Sequence, residues 1–335
     1  MDEINDRYMR LHGPDPPFVS YVEEKYFPSR HVRSLSPSTQ KEYVNLWKRS
    51  LRKAMQGETL YSVRTSTITN LLETIANERD ITKTSSARVK SLLSGVYTFA
   101  RNHGDFDGDN PILGVTLPHA RESEETYAYN LEEELAMMGI LELREKTAVA
   151  IASFAGLSKS EMQGLRWEDR QGKDFGIRRS VWSGIKKGTK TRYRKFPVPI
   201  IEPLAEVLDE YWKACGQPIE GWLFPNERGE LPMDFNNLYR RNIMDRLEQA
   251  GLDWHGWHAF RRGLASNLSE LGVPDHVIQK VLRHGDIGTT QRSYRKTRTK
   301  EVSKAMKKLS KRVGKATHGL RRRTRVTRDK QGTDN

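Results

Sequence analysis

The chain has 335 residues, of which 36% are hydrophobic and 30% charged, with a mean hydropathy of -0.75, the composition of a soluble globular protein with room for two domains of roughly 100–200 residues each. No stretch approaches the roughly 20 apolar residues that cross a bilayer, and the start, MDEINDRYMR, lacks the basic and apolar run of a secretory signal, so no membrane partner and a cytoplasmic location are expected. The single cysteine, Cys215, excludes an intrachain disulfide framework and a Cys-based zinc site, and its expected role is a small buried side chain.

The net charge is +14, but it is concentrated. From Lys296 to Lys330 there are 15 Lys or Arg against Glu301 and Asp329, so this stretch carries +13 and the rest of the chain +1. Apolar periodicity fades beyond about Leu309, so residues 310–335 read as a basic disordered tail. Such a run is either an ordinary solvated terminus or an electrostatic arm on a polyanion such as nucleic acid, and the two are compatible.

In chain order, residues 1–30 are polar, hold four prolines in the first 28 positions and read as an N-terminal arm, with an aromatic segment from Phe18 to Phe27. Ser36-Pro37-Ser38-Thr39 has the form of a helix start, and Tyr43, Leu46, Trp47, Leu51 and Ala54 follow at spacings of three and four. Ile68, Leu71, Leu72 and Ile75 form a second series, and Val89, Leu92, Leu93, Val96, Tyr97 and Ala100 a third. Residues 31–116 therefore predict a small helical bundle, and 117–126, containing PHARESEE, a linker.

Beyond it, Leu131–Leu143 and Lys146–Phe154 read as helices, with Gly156 ending the second and Ser158 opening a third. Phe175–Trp182 and Lys190–Val198 have strand composition, and the turn-rich residues 183–188 between them predict a hairpin. Leu204–Trp212, Trp257–Leu271 and His276–Leu282 complete a domain over 127–309 that is mainly α with a small β-sheet.

Three late features carry candidate chemistry. His258 and Arg261, at i and i+3, share a helix face, and Arg presents a planar fork suited to two phosphate oxygens. His284 follows in LRH, and Tyr294 lies ten residues later in TTQRSYRKT, a hydroxyl among basic side chains. Lys190, in GTKTRYRKFPVP, leaves the hairpin where its tip can reach a groove or donate a proton. Each alone is also what an ordinary surface histidine, arginine, tyrosine or lysine would present.

Together, and in this order, the segments AGLSKSEMQGLRWED, GTKTRYRKFPVP, WHAFRRGLASNL and VLRHGDIGTTQRSYRKT resemble the four boxes of the tyrosine recombinase family, also called phage integrases. The resemblance implies a two-domain DNA clamp, a helical SAM-like core-binding domain followed by an α-rich catalytic domain. It implies that Tyr294 attacks a DNA phosphodiester to give a 3′-phosphotyrosyl link and a free 5′-hydroxyl. Arg261 would neutralise the phosphate, His258 and His284 would hydrogen-bond it and assist proton movement, Lys190 would protonate the leaving 5′-oxygen, and Glu161 would orient its neighbours. The covalent step needs no metal or cofactor. The implied partners are double-stranded DNA, three further protomers in a tetramer on two DNA sites, and an accessory DNA-bending or directionality protein. Val302, Met306 and Leu309 form an apolar stripe that would dock either on another protomer or on its own domain.

One departure stands out. The first box normally reads Gly-Leu-Arg, and its arginine is the second phosphate clamp; here that residue is Ser158. Losing a preorganised donor to a transition-state oxyanion costs roughly 10²–10³ in rate, so the chain is expected to be either a recombinase of lowered activity or a catalytically silent DNA-binding member of the family. Lys159 and Arg166 are the nearest cations in the box. Two lesser departures are Arg283, where a glycine often precedes the last-box histidine, and a His284–Tyr294 spacing one residue longer than in many members.

Overall fold

The computed structural model describes residues 15–79, 82–118, 126–182, 184–188, 197–283 and 302–317. It divides into two compact units, Met1–Glu125 and Thr126–Asn335, each with its own hydrophobic core.

The first unit is helical. Ser36 caps the helix Pro37–Leu46 by accepting a hydrogen bond from the Thr39 backbone N–H at 3.2 Å, with Pro37 in the first turn where its missing N–H costs nothing. That helix continues through a wider turn, Trp47–Leu51. Thr65–Arg79 and Lys83–Asn102 follow. The inner face of the last of these buries Val89, Leu92, Leu93, Val96, Tyr97 and Ala100 against Ile68, Leu72 and Ile75. Each large side chain removed from water contributes about 1.5–3 kcal/mol, which is what holds three helices of modest intrinsic propensity together.

Residues 1–30 do not all behave as an arm. Residues 1–14 lie outside the described residues, but Phe18–Ser20 is helical and runs into a wider-turned segment, Tyr21–Tyr26. Phe18, Tyr21, Val22 and Tyr26 are at most 2% exposed and belong to the first unit's core. The Phe18 ring sits 6.2 Å from that of Trp47 and 5.9 Å from that of Tyr97. Their spacing of three, four and eight is helical, and the prolines around it had masked the period.

The second unit opens with Leu131–Ile140, started by a reciprocal capping box in which Asn130 and Glu133 bond each other's backbone N–H. Leu143–Ala150 continues through Ile151–Ala155 and stops at Gly156, whose φ of +60° is the left-handed conformation that ends helices. Lys159–Gln163 follows. Three short antiparallel strands, Arg170–Gln171, Asp174–Phe175 and Val198–Pro199, place Phe175 opposite Val198 and both in the core. The hairpin differs from the expected one: Arg179–Trp182 pairs with Ile185–Gly188, residues read from sequence as the turn, while of the expected return strand 190–198 only residues 197–198 lie among the described residues, and Val198 pairs with Phe175 in the other sheet. Gly184, at φ +76°, supplies the backbone that a two-residue turn demands.

Glu202–Ala214 comes next, and Cys215 at its end is exposed, not buried as expected, because a helix that turns its apolar side inward at Leu204, Leu208 and Tyr211 leaves its terminus in solvent. Phe235–Leu238, Tyr239–Ile243 and Met244–Gln249 were not anticipated. The wider turn in the middle sets the buried Leu238 and Ile243 five positions apart, which breaks the 3.6-residue period that a sequence reading looks for. Trp257–Glu270 and Asp275–Val281 follow.

Residues 302–317 form a further helix. Its stripe of Val302, Met306 and Leu309 packs on its own unit, extended by Ala305 and Val313. Arg312 pairs with Glu270 at 2.8 Å and Lys308 donates to the Leu271 carbonyl. Order therefore extends past residue 310, where a disordered tail was expected, since Val313 is fully buried; residues 318–335 lie outside the described residues.

Candidate active site

The inner face of Trp257–Glu270 is apolar except at Arg261 and Asn267. Phe260, Leu264 and Leu268 are fully buried, and among them Arg261 is only 7% exposed. A guanidinium in that position is costly unless its N–H groups are met. It is met by backbone: Nη1 donates to the carbonyl of Gly156 and Nη2 to the carbonyl of Leu282. One side chain thus joins three segments far apart in sequence, the end of the Ile151–Ala155 turn, the third helical box and the segment that leads into the fourth.

Gly156 is required there on two counts. Its φ is +60°, and a Cβ would come within 2.7 Å of Leu264 Cδ2 and 3.2 Å of Leu282 Cδ2. The close approach that glycine permits delivers its carbonyl to Arg261. Gly263 plays a comparable part on the other side of the same helix, where a Cβ would meet the Tyr129 carbonyl oxygen at 2.3 Å. That contact seats the helix against the Leu131–Ile140 helix, whose Glu134 carboxyl is pushed well above its ordinary range, mainly by burial.

Around Ser158 the structure is a buried charge cluster. Ser158 is the residue that starts Lys159–Gln163 and is 5% exposed. Its backbone N–H and its Oγ both donate to Glu161 Oε2, each at 2.8 Å. The same oxygen receives Nη2 of Arg283 at 3.3 Å, and the two charged side chains are 2% and 1% exposed. Arg283 itself has φ +57°, a conformation that suits glycine and is rarely adopted by a residue with a Cβ. Sequence reading had marked Arg283 only as an oddity of the last box. The signal that finds it is the pairing with Glu161, which lies 122 residues away.

The expected residues are thus partly brought together. Ser158, Glu161 and Arg261 converge on one buried neighbourhood, and His258 lies in the first turn of Trp257–Glu270 with its side chain exposed. Gly256, at φ +81°, precedes that turn, whose N–H groups and dipole favour an anion. Lys190, His284 and Tyr294 lie outside the described residues. Lys159 does not turn toward the cluster; its ammonium donates to Asn236 Oδ1 at 2.9 Å. Arg166 pairs with Glu168 at 2.7 Å and lies over the Trp222 ring.

The hairpin that leads toward Lys190 is anchored at its base. Arg179 Nη1 bonds Asp169 Oδ2 at 2.6 Å and the Gly164 carbonyl at 3.2 Å. Burial raises the Asp169 carboxyl from its usual range, and Arg179 and the Arg166 N–H oppose the rise. Among the described residues there is no cluster of His, Cys, Asp or Glu able to hold a metal ion, and no helix is long and apolar enough to cross a membrane.

Comparison with known proteins places this arrangement. The sequence profile of the phage integrase family matches residues 127–301. A tyrosine recombinase of Pseudothermotoga lettingae is 26% identical over 268 residues, covering 78% of this chain and 88% of that protein. The Tn1549 transposon integrase, solved with transposon right end DNA, superimposes with a TM-score of 0.65 at 16% identity, covering 84% of this chain and 98% of that one. The lambda integrase tetramer on a Holliday junction gives 0.59 at 18% identity over 81% of this chain and 79% of that one. At these identities the structural likeness is one of fold.

Proposed function

Since the chain belongs to the phage integrase family, we propose that it is a site-specific tyrosine recombinase, cutting and rejoining duplex DNA with Tyr294 as nucleophile. The phenolic oxygen attacks phosphorus, the bond to the 5′-oxygen breaks, and the phosphodiester energy is kept in a 3′-phosphotyrosyl link until another 5′-hydroxyl reverses the step. Lys190 gives its proton to the departing 5′-oxygen, and His258 and His284 hydrogen-bond the phosphate. Arg261 meets the charge that grows on the non-bridging oxygens, and being held in a dry site by fixed carbonyls it needs no reorganisation when the charge appears.

The observation that carries this reading is the convergence on Arg261 of the segments holding the first, third and fourth boxes, through the Gly156 and Leu282 carbonyls. Four boxes in order are a sequence pattern; a buried guanidinium tied to two of the other segments is what a phosphate site needs. We assign the helical first unit to DNA binding beside the catalytic unit, and the working assembly to a tetramer on two DNA sites, as in the lambda integrase complex, aided by an accessory DNA-bending or directionality protein. The protein acts in the cytoplasm, on nucleoid DNA. The basic residues of 318–335 add sequence-independent affinity, so deleting them lowers the salt slope of DNA binding while leaving site preference unchanged. An unchanged slope would remove the tail from the interface.

Ser158 favours a second reading, a DNA-binding member that does not cleave, because its hydroxyl is engaged with Glu161 and offers no charge to a phosphate. A nicked suicide substrate on a denaturing gel separates the two. A covalent protein–DNA band in the wild type that vanishes in Tyr294→Phe establishes the recombinase. Its absence from the wild type together with its appearance in Ser158→Arg establishes the silent binder.

A further inference from the structure

The place left by the missing first-box arginine is not left without a guanidinium. Ser158 and Arg283 address one and the same oxygen, Glu161 Oε2, at 2.8 Å and 3.3 Å. Arg261 is anchored on the carbonyl of Leu282, the residue before Arg283, and on that of Gly156, two residues before Ser158. Both guanidinium groups are therefore held against the same pair of segments, and both residues are buried, at 7% and 4% exposure, where a positive charge acts on an anion with little screening. The nearer cations in sequence are committed elsewhere, Lys159 to Asn236 and Arg166 to Glu168.

The backbone at Arg283 adds an independent argument. At φ +57° a glycine would be free of strain and an arginine is not. The strain is retained together with a buried charge, and such outliers gather where a particular side chain is needed in a particular place. In sequence, position 283 immediately precedes His284 of the last box.

We propose that Arg283 is a catalytic residue that supplies the second guanidinium of the scissile-phosphate site in place of the arginine absent at residue 158, with Glu161 as its positioning residue. The inference rests on the recombinase reading and explains how the family's chemistry survives Ser158. The Glu161 carboxylate orients the Arg283 guanidinium, and when DNA binds the fork is to meet the non-bridging oxygens. A lysine could keep the ion pair with Glu161, but it has no second edge to offer.

The test is the rate of covalent-complex formation on the nicked substrate by the full chain, with melting temperature and DNA affinity measured alongside. Arg283→Lys keeps the charge beside Glu161 and is expected to cleave roughly 10²-fold more slowly or worse, with affinity and melting unchanged. Arg283→Gly is expected to lose at least as much, and Ser158→Arg combined with Arg283→Gly to regain most of that roughly 10²-fold loss. A merely structural role would instead make cleavage follow melting temperature across the variants, and would leave Arg283→Lys, which keeps the ion pair, at the wild-type rate. Arg283→Lys cleaving at the wild-type rate would overturn this inference alone and leave the recombinase reading standing, as would a double variant no more active than a folded Arg283→Gly. If Arg283→Gly does not fold, the lysine variant decides. A wild type with no Tyr294-dependent complex overturns both.

Discussion

Ser36 and Ser158 each start a helix, one at the surface and one in a buried cluster. Ser36 sits at the surface of the first unit, where its hydroxyl accepts from the Thr39 N–H and satisfies one of the backbone donors left over at a helix start. Ser158 is buried in the second unit, and its hydroxyl and N–H both donate to a carboxylate that also holds an arginine. The first is a local device that depends on four consecutive residues. The second is one member of a cluster assembled from segments more than a hundred residues apart, so its value depends on the others being in place.

The comparison can be broken hardest at Glu161. Replacing it by Ala leaves Arg283 buried with its carboxylate partner gone, and removing one side of a buried pair costs about 3–5 kcal/mol; urea unfolding of the second unit should show a loss of that size. Gly156→Ala comes next. It puts a Cβ on a left-handed backbone and against Leu264, which costs roughly 1–3 kcal/mol, and because the Gly156 carbonyl holds Arg261 the same variant should slow cleavage more than its stability loss would explain. Ser36→Ala should cost about 1 kcal/mol with no effect on cleavage, which sharpens the contrast: a loss of activity there would show that the first cap is not merely local.

The smallest effect is expected at Glu134, with a sign set by pH. Burial raises its carboxyl well above 4.5, with Ser153 opposing and Glu133 reinforcing the shift. The folded state therefore keeps a proton that the unfolded chain releases, so this group's contribution to stability is intact below pH 4.5 and is lost as pH rises toward the folded value. Glu134→Gln removes that loss, and thermal melting should show the variant gaining on wild type at pH 8 by roughly 2–4 °C, the shift that about 1 kcal/mol produces in a domain of this size. Parallel melting curves at pH 4 and pH 8 would show that the carboxyl is not held neutral.

Much of this molecule was legible without coordinates where the signal is local. The helix start at Ser36, the stop at Gly156 and the start at Ser158 follow from side-chain chemistry within one turn, and the Val89–Ala100 face from a 3.6-residue period. Where the period was interrupted, reading failed: at Tyr239–Ile243 by a wider turn, at Phe18–Tyr26 by flanking prolines, and around Val313 by basic residues that hid about two more turns of helix. Cys215 was misjudged because burial depends on which side of a helix meets a core, and a residue at the helix end meets none.

The candidate site divides in the same way. Sequence by itself determined the family and the order of the four boxes, and it named Arg261, His258 and Glu161 as candidates, because those lie in motifs whose chemistry is written in residue types at short spacings. It also exposed the deficit at Ser158. Only the tertiary structure decided which cation stands near that deficit, since Lys159 is one residue away in sequence and points to Asn236, while Arg283 is 125 residues away and shares Glu161 with Ser158. The physical reason is that a buried charge must be paired wherever the chain brings a partner, and which segments meet is a property of the packed core rather than of any window of sequence.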